Sequence, residues 1–138
     1  MKTFRLISVI IALMISSFCY SQSMPVVIGD SILGTGTGFY HRDICLDGED
    51  NLWIGYYQQG VAKYNGESFT HFTSDNSGLG SDTINDLYFY DNVLYAATKG
   101  GLYRTNTAVS DPIWQTVEGT SGKVIYAALI KNGNLYAI

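Results

Sequence analysis

The residues best equipped for chemistry in this sequence are an acidic run and two histidines. The run Asp47–Asn51 reads Asp-Gly-Glu-Asp-Asn, and such a density of carboxylate oxygens suits a calcium ion. A calcium loop, however, alternates its ligands as Asp-x-Asx-x-Asx, and a hairpin turn accounts for the same residues. His41 and His71 lack the HExxH-type spacing of a zinc site, so we expect them to be solvent-facing strand residues rather than metal ligands or bases. The sequence predicts no catalytic residue, no metal site and no cofactor.

A cysteine and a glycine-rich segment invite chemical interpretations that their neighbours do not support. Cys45 lies between Ile44 and Leu46 and has no cation nearby in the sequence, so we expect a small core residue rather than a reactive thiol. The run 34–38 reads GTGTG but lacks the Lys-Ser/Thr that completes a phosphate-binding loop.

One loop carries groups suited to holding a ligand. Its sequence is Tyr-Tyr-Gln-Gln: the rings offer apolar faces for stacking, and the amides can bond to hydroxyl groups. A Thr-Lys pair occupies the equivalent place in a later repeat. The candidate ligand-binding residues are therefore Tyr56, Tyr57, Gln58, Gln59, Thr98 and Lys99. Their expected partner is an oligosaccharide or a peptide, and an ordinary exposed loop is the competing interpretation.

The first 21 residues have the layout of a secretory signal peptide. Two basic residues precede the apolar stretch Leu6–Phe18, whose thirteen residues fall short of the roughly 20 that span a bilayer. Small residues then favour cleavage before Gln22, with a lipoprotein anchored through Cys19 and an uncleaved anchor as alternatives. We therefore predict export to the periplasm, cell surface or exterior of a bacterium, without stable membrane insertion after cleavage.

Composition narrows the class of protein. Cleavage would leave six basic and twelve acidic residues, a net charge of 6 − 12 = −6, which disfavours nucleic-acid binding. One cysteine would remain, so no internal disulfide is expected. Only 14% of residues are charged, while eleven are tyrosine and fifteen are glycine. This balance favours strands joined by glycine turns.

A repeat of about 42 residues runs through the sequence from Asp43 onward. The triplet Leu-Trp-Ile that starts at Leu52 recurs as Leu-Tyr-Ala at Leu94 and again at Leu135. Each unit holds four short apolar runs separated by turn residues, a pattern typical of the four-stranded blade of a β-propeller. The structural positions of the repeat are Leu52, Trp53, Gly60, Leu94, Tyr95, Gly101, Leu135 and Tyr136.

The repeat also predicts how the units turn and pack. The first turns, at 47–50, 90–92 and 131–133, are rich in Asp, Asn and Gly, which tolerate the positive φ of tight hairpins. One blade has two apolar faces and buries them only against its neighbours. The aromatic residues Trp53, Tyr95 and Tyr136, which share one register, are therefore expected to pack between blades.

With the repeat established, the sequence resembles the two-component regulator propeller repeat family. The segment Gly48–Asp86 reads GEDNLWIGYYQQGVAKYNGESFTHFTSDNSGLGSDTIND and follows that family's pattern along nearly its whole length, the linker Asp75–Leu79 most closely. In the second unit Tyr95 replaces the tryptophan, so the match is weaker there. Repeats of this family form the periplasmic ectodomains of sensor kinases that respond to oligosaccharides, and they also occur in secreted or surface proteins. The resemblance therefore implies one of these two settings for this chain.

The predicted organisation is all-β: a partial β-propeller of about two to three four-stranded antiparallel blades. It comprises the signal peptide 1–21, an irregular lead-in 22–40 with an edge strand at Pro25–Ile28, and repeats over 41–138. The repeats divide into 41–80, 81–121 and an incomplete third blade at 122–138. Because four to eight blades close a propeller, we expect a fragment of a larger one, with further blades in cis as partners, or else self-assembly.

The functional expectation is an exported, non-enzymatic binding or sensing module that takes an oligosaccharide or peptide at the mouth of the propeller channel. Two alternatives remain open. One is the N-terminal part of a propeller lyase or glycosidase whose active residues lie outside this sequence. The other is a purely structural surface repeat protein.

Overall fold

The computed structural model describes residues 40–138, and these form ten strands and no helix. The predicted signal peptide and almost all of the lead-in, including Pro25–Ile28, lie outside the described residues. The strands are β1 His41–Leu46, β2 Leu52–Tyr56, β3 Val61–Tyr64, β4 Phe69–Phe72, β5 Ile84–Tyr90, β6 Val93–Thr98, β7 Gly101–Asn106, β8 Gln115–Thr116, β9 Ala128–Lys131 and β10 Asn134–Ala137. The all-β prediction is confirmed for this part of the chain.

The strands form three antiparallel sheets. The first sheet has the order β1-β2-β3-β4, the second β5-β6-β7-β8, and the third consists of β9 and β10. The three repeat leucines each lie on the second strand of a sheet, where Leu52 pairs with Leu46, Leu94 with Phe89, and Leu135 with Ile130. The sequence period of about 42 residues therefore corresponds to one sheet.

Residues that tolerate a left-handed backbone form the hairpin turns. Between β1 and β2, Asp50 has φ = 61°; between β5 and β6, Asn92 has φ = 61°; and between β9 and β10, Asn132 has φ = 52°. Asp and Asn adopt this region more readily than other non-glycine residues do. The second turn of the first sheet requires a glycine outright: Gly60 has φ = 72°, and a Cβ there would lie 2.1 Å from the carbonyl oxygen of Phe72.

The sheets pack face to face through two apolar clusters. The first lies between the first and second sheets, where Trp53 is fully buried, stacks on Phe72 with a centroid distance of 5.6 Å, and meets the edge of Trp114 at 6.3 Å. The second joins the second and third sheets around Tyr95 and Leu102. Trp53 and Tyr95 thus lie at inter-sheet contacts, whereas their repeat partner Tyr136 is 52% exposed because none of the residues 40–138 forms a sheet beyond it.

Carboxylates reinforce these inter-sheet contacts. A shift in strand register precedes Asp43 in β1 and Asp86 in β5, so each aspartate follows a bulge on the first strand of its sheet. Asp43 Oδ2 accepts a hydrogen bond from the backbone N–H of Leu87 at 2.8 Å, and Asp86 Oδ2 accepts one from Ala128 at 3.1 Å. The same joint therefore occurs twice, from the first sheet to the second and from the second to the third.

Candidate functional site

The candidate ligand loop, between β2 and β3, is fixed by backbone bonds on both sides. Tyr57 donates its N–H to the carbonyl of Tyr40 at 2.8 Å, and Gly60 donates to the carbonyl of Asp82 at 2.8 Å. Tyr40 precedes β1, and Asp82 belongs to the linker that joins the first two sheets. The linker thus lies beside this loop, and the loop presents its side chains from a tethered backbone.

Tyr56 is not available to a ligand. Strand β2 extends through Tyr56, whose side chain is 1% exposed and lies against two histidine rings, 5.2 Å from His41 and 6.2 Å from His71 between centroids. The expectation that His71 faces solvent is also wrong. Its ring is half-buried, its Nε2 has no hydrogen-bond partner among the described residues, and burial lowers its pKa because an imidazolium there would lose its water.

The next residue, Tyr57, is exposed and forms one wall of a pocket of about 370 Å3. The other walls are Tyr40, His41 and Arg42, and we call this the tyrosine pocket. Tyr40 is 68% exposed, and the Arg42 guanidinium lies 4.9 Å from the centre of the Tyr57 ring, within cation–π range. Two phenol rings and a pre-positioned cation therefore meet at one place on the surface.

The structure separates the second-repeat candidates from this pocket. Thr98 is fully buried, and its hydroxyl donates to the carbonyl of Gly101 at 2.8 Å while it accepts from the N–H of Gly100 at 3.0 Å. It therefore closes a turn instead of facing a ligand. Lys99 is exposed but does not line the tyrosine pocket. Gln58 is exposed and Gln59 half-exposed in the same loop as Tyr57, outside the pocket's lining.

The acidic run Asp47–Asn51 folds as a hydrogen-bonded turn. Both carboxylate oxygens of Asp47 accept hydrogen bonds, Oδ1 from the backbone N–H groups of Glu49 and Asn51 and Oδ2 from the indole of Trp53 at 2.8 Å. Burial alone would raise the pKa of Asp47, but these bonds outweigh it and lower the pKa overall. Among residues 40–138, no group of three or more His, Cys, Asp or Glu side chains is placed to hold a metal ion.

A pair of carboxyl groups, Asp43 and Asp86, lies at the inner strands. Burial raises the pKa of Asp86; the N–H of Ala128 opposes the rise, and the adjacent Asp43 adds to it. The neighbouring thiol of Cys45 packs against the first cluster, and burial is the main cause of its raised pKa. A raised pKa keeps a thiol protonated and weakens it as a nucleophile.

A second pocket, of about 340 Å3, lies at the outer edge of the second sheet. Arg104 and Asp111 line it, together with the apolar side chains of Val109 and Ile113. It contains no aromatic ring, so it offers less for stacking than the tyrosine pocket does.

Sequence reasoning missed Tyr40 and Arg42 as pocket residues. The contact that brings them to Tyr57 is a pairing between the approach to β1 and the end of β2, seventeen residues apart for the Tyr40–Tyr57 bond. The exposed aromatic and basic residues beside His41 were the available signal.

The chain matches no protein-family model, no curated protein and no solved structure. In the described range 40–138, no helix is long and apolar enough to cross a membrane.

Proposed function

We propose that this chain is an exported, non-enzymatic binding module whose sheets are blades of a β-propeller, and that it takes an oligosaccharide at the tyrosine pocket. One observation carries the proposal: two exposed tyrosine rings and an arginine converge on a pocket of about 370 Å3. The repeat resemblance supports the propeller and the exported setting. A peptide ligand is the other outcome of the binding test.

The chemistry of the pocket suits a sugar. The C–H faces of pyranose rings pack against aromatic rings, and the phenol and guanidinium groups bond hydroxyl or carboxylate oxygens. Arg42 already lies over Tyr57, so less side-chain entropy is lost when it contacts a ligand. The tethered backbone of the loop reduces the same cost for Tyr57.

A glycan array and a peptide library, both screened with the full chain, test the proposal. Any glycan that binds is then titrated calorimetrically against Tyr57→Ala and Arg42→Ala. Since a stacked aromatic contributes about 1 kcal/mol, we expect Tyr57→Ala to weaken binding roughly fivefold. Arg104→Ala removes an exposed arginine from the second pocket and serves as the matched control, with unchanged affinity expected.

Silence across the glycan array would count against the sugar ligand. Loss of binding in Arg104→Ala but not in Tyr57→Ala would move the site to the second pocket and refute the assignment. Binding to peptides alone would retain the module and replace its ligand class.

A second candidate, cleavage of a glycan, is favoured by the carboxyl pair Asp43 and Asp86, because a carboxyl with a raised pKa can serve as a general acid. Both groups already bond to backbone N–H groups of the next sheet, which favours a structural role. Incubating the bound glycans with the chain and analysing the products by mass spectrometry distinguishes the two: cleavage that Asp86→Asn abolishes would identify an enzyme.

A further inference from the structure

The outer edge of the first sheet borders a small groove. Strand β4 is the last in the order β1-β2-β3-β4, and β3 is its one partner among the described strands. A groove of about 250 Å3 lies beside β4, and we call it the edge groove. It is lined by Thr70, His71, Phe72 and Asn76, and by the segment 111–113 that precedes β8. Because successive strand residues point to opposite faces, three in a row share one groove only at the edge of the strand.

Alternate residues of β4 turn their backbone groups away from β3. The turn bond from the N–H of Asn65 to the carbonyl of Ser68 fixes which pairs exchange hydrogen bonds, because bonded and non-bonded pairs alternate in an antiparallel ladder. By this alternation Thr70 bonds to β3, whereas Phe69 and His71 direct their N–H and C=O groups outward.

The side chain of Asn76 closes one end of this edge. Its Nδ2 donates to the carbonyl of His71 at 3.1 Å, and its Oδ1 accepts the N–H of Thr73 at 2.8 Å. A parallel strand would bond to the same two groups through one residue opposite Phe72, so the carboxamide occupies that residue's place. Three outward groups remain without a partner among residues 40–138: the N–H and C=O of Phe69 and the N–H of His71.

These three open groups match one more residue of a parallel strand. Opposite Thr70, such a residue would donate its N–H to the carbonyl of Phe69 and accept the N–H of His71. The residue two positions earlier would accept the N–H of Phe69, so every open group would be used. An antiparallel strand would instead compete with Asn76 for the carbonyl of His71.

The chemistry of the edge groove favours a basic side chain opposite Thr70. In a parallel pair that side chain points to the same face as Thr70 and Phe72, which is the face packed against the second sheet. Asp111 lines the groove on the second sheet's side of the chain and forms no ion pair with any of the residues 40–138. Ile113, which is 69% exposed, offers an apolar surface to the stem of a long side chain. Burial lowers the pKa of His71, so its imidazole stays neutral and does not offset the charge of Asp111.

We propose that the outer edge of β4 binds an extended segment of a partner protein, parallel to β4, with a lysine or arginine opposite Thr70 and directed at Asp111. Sheet edges commonly exclude added strands by means of Lys, Pro or a bulge. Strand β4 reads Phe-Thr-His-Phe, and its register with β3 has no shift. The corresponding edge of the second sheet, β8, is two residues long and offers a shorter template. The proposal is independent of a sugar at the tyrosine pocket.

Amide NMR titrations of the full chain with synthetic peptides test this site. The probe is the acetylated and amidated peptide TVTKTVT, and the matched peptide carries glutamate in place of the lysine. The N–H signals of Phe69 and His71 should shift downfield with the lysine peptide, because both groups gain an acceptor. The glutamate peptide should bind roughly tenfold more weakly or worse, because its carboxylate would face Asp111.

Methylation of single backbone nitrogens in the peptide separates strand pairing from charge attraction. A methyl group on the lysine nitrogen removes the N–H that would bond to the carbonyl of Phe69 and should weaken binding roughly tenfold. A methyl group on the nitrogen of the following threonine is the matched control. That nitrogen points away from β4, so binding should change by about twofold at most. Neither change alters the protein, so folding does not affect the comparison.

Variants of the protein locate the charge. Asp111→Asn should weaken the lysine peptide roughly fivefold and leave the affinity for a peptide with glutamine in place of lysine unchanged. Asp91→Asn, at another exposed aspartate, is the matched control and should bind the lysine peptide as wild type does. Tyr57→Ala should also retain this affinity, because Tyr57 lies in the tyrosine pocket.

Several results would overturn the proposal. One is a lysine peptide that shifts neither amide signal at about 5 mM. Others are equal weakening by the two methyl groups, equal affinities of the lysine and glutamate peptides, or loss of binding in Tyr57→Ala, which would place the peptide in the tyrosine pocket. Signals of Phe69 and His71 that move with protein concentration alone would show that a second copy of the chain occupies the edge instead.

Discussion

Replacing Asp47 with Asn should destabilise the fold far more than its place in a surface turn suggests. The carboxylate accepts hydrogen bonds from Glu49 N–H, from the backbone and side chain of Asn51, and from the Trp53 indole. Asn offers one acceptor oxygen and one donor group in place of two acceptors. If its oxygen takes the place of Oδ1, its NH2 group faces the Trp53 N–H, and that indole is left buried without an acceptor.

The cost follows from these contacts. An unsatisfied buried donor costs about 1–3 kcal/mol, and the bonds that remain lose the extra strength of a charged acceptor. We expect the free energy of unfolding to fall by about 3 kcal/mol. With an m-value of about 2 kcal/mol/M, the urea midpoint would fall by roughly 1.5 M.

Urea unfolding followed by tryptophan fluorescence measures the effect directly, since Trp53 reports on the site. Asp50→Asn is the matched control, because Asp50 is exposed in the same turn and its φ of 61° suits Asn equally well. We expect that control to change stability by no more than about 0.5 kcal/mol. Equal effects of the two substitutions would refute the reasoning.

The pH dependence gives a second check on Asp47. Its folded-state pKa is lowered, so its stabilising contribution is complete above the ordinary carboxyl pKa and is lost as the pH falls through the lower folded value. The stability gap between wild type and Asp47→Asn should therefore be constant from pH 7 to about pH 5 and narrow below about pH 4. A gap that widens with acid would contradict the assignment.

Two further substitutions test the inter-sheet joint and the second turn. The pKa of Asp86 is raised in the fold, so its contribution to stability is present at low pH and lost as the pH rises through the folded value. In urea unfolding, Asp86→Asn, whose amide can donate to Asp43, should be at least as stable as wild type at pH 7 and should lose that advantage near pH 4. A variant that is destabilised more at pH 7 than at pH 4 would contradict this. Gly60→Ala should lower the unfolding free energy by more than about 2 kcal/mol, because φ is 72° and a Cβ would collide with the Phe72 carbonyl. Gly66→Ala is the control, because φ there is 94° but nothing lies within 4 Å of the added Cβ, and it should lower the stability measured by thermal melting by less. Equal losses of stability in the two variants would show that the collision does not matter.

Much of the sheet architecture could be predicted because it is encoded locally. The recurrence of Leu52, Leu94 and Leu135 marks three second strands, since the repeat length equals one sheet. Turn residues with positive φ were predictable for the same reason, because Asp50 and Asn132 lie between apolar runs that can only reverse there. The number of strands in each sheet followed from counting those runs.

The candidate site was less predictable, because burial of its residues depends on neighbours distant in sequence. Tyr56 was predicted to lie in the ligand-binding loop, but β2 extends through it and its side chain is buried, because the end of β2 could not be fixed from the sequence alone. Thr98 was predicted to face a ligand like Tyr56, its equivalent in the first repeat, but both are buried, and the Thr98 hydroxyl closes the turn at Gly100. The approach of Arg42 to Tyr57 arises only when the chain before β1 pairs with the loop.

The carboxylate joint has a consequence for how such a chain grows by gene duplication. Asp43 reaches forward to Leu87, and Asp86, one repeat later, reaches forward to Ala128. Duplication of a whole unit of about 42 residues therefore duplicates both the aspartate that accepts the hydrogen bond and the backbone N–H that donates it. Each added sheet would then form the same joint with its neighbour. A deletion within a unit would disrupt the joints with both neighbouring sheets, so the unit that can be duplicated is the entire sheet with its aspartate.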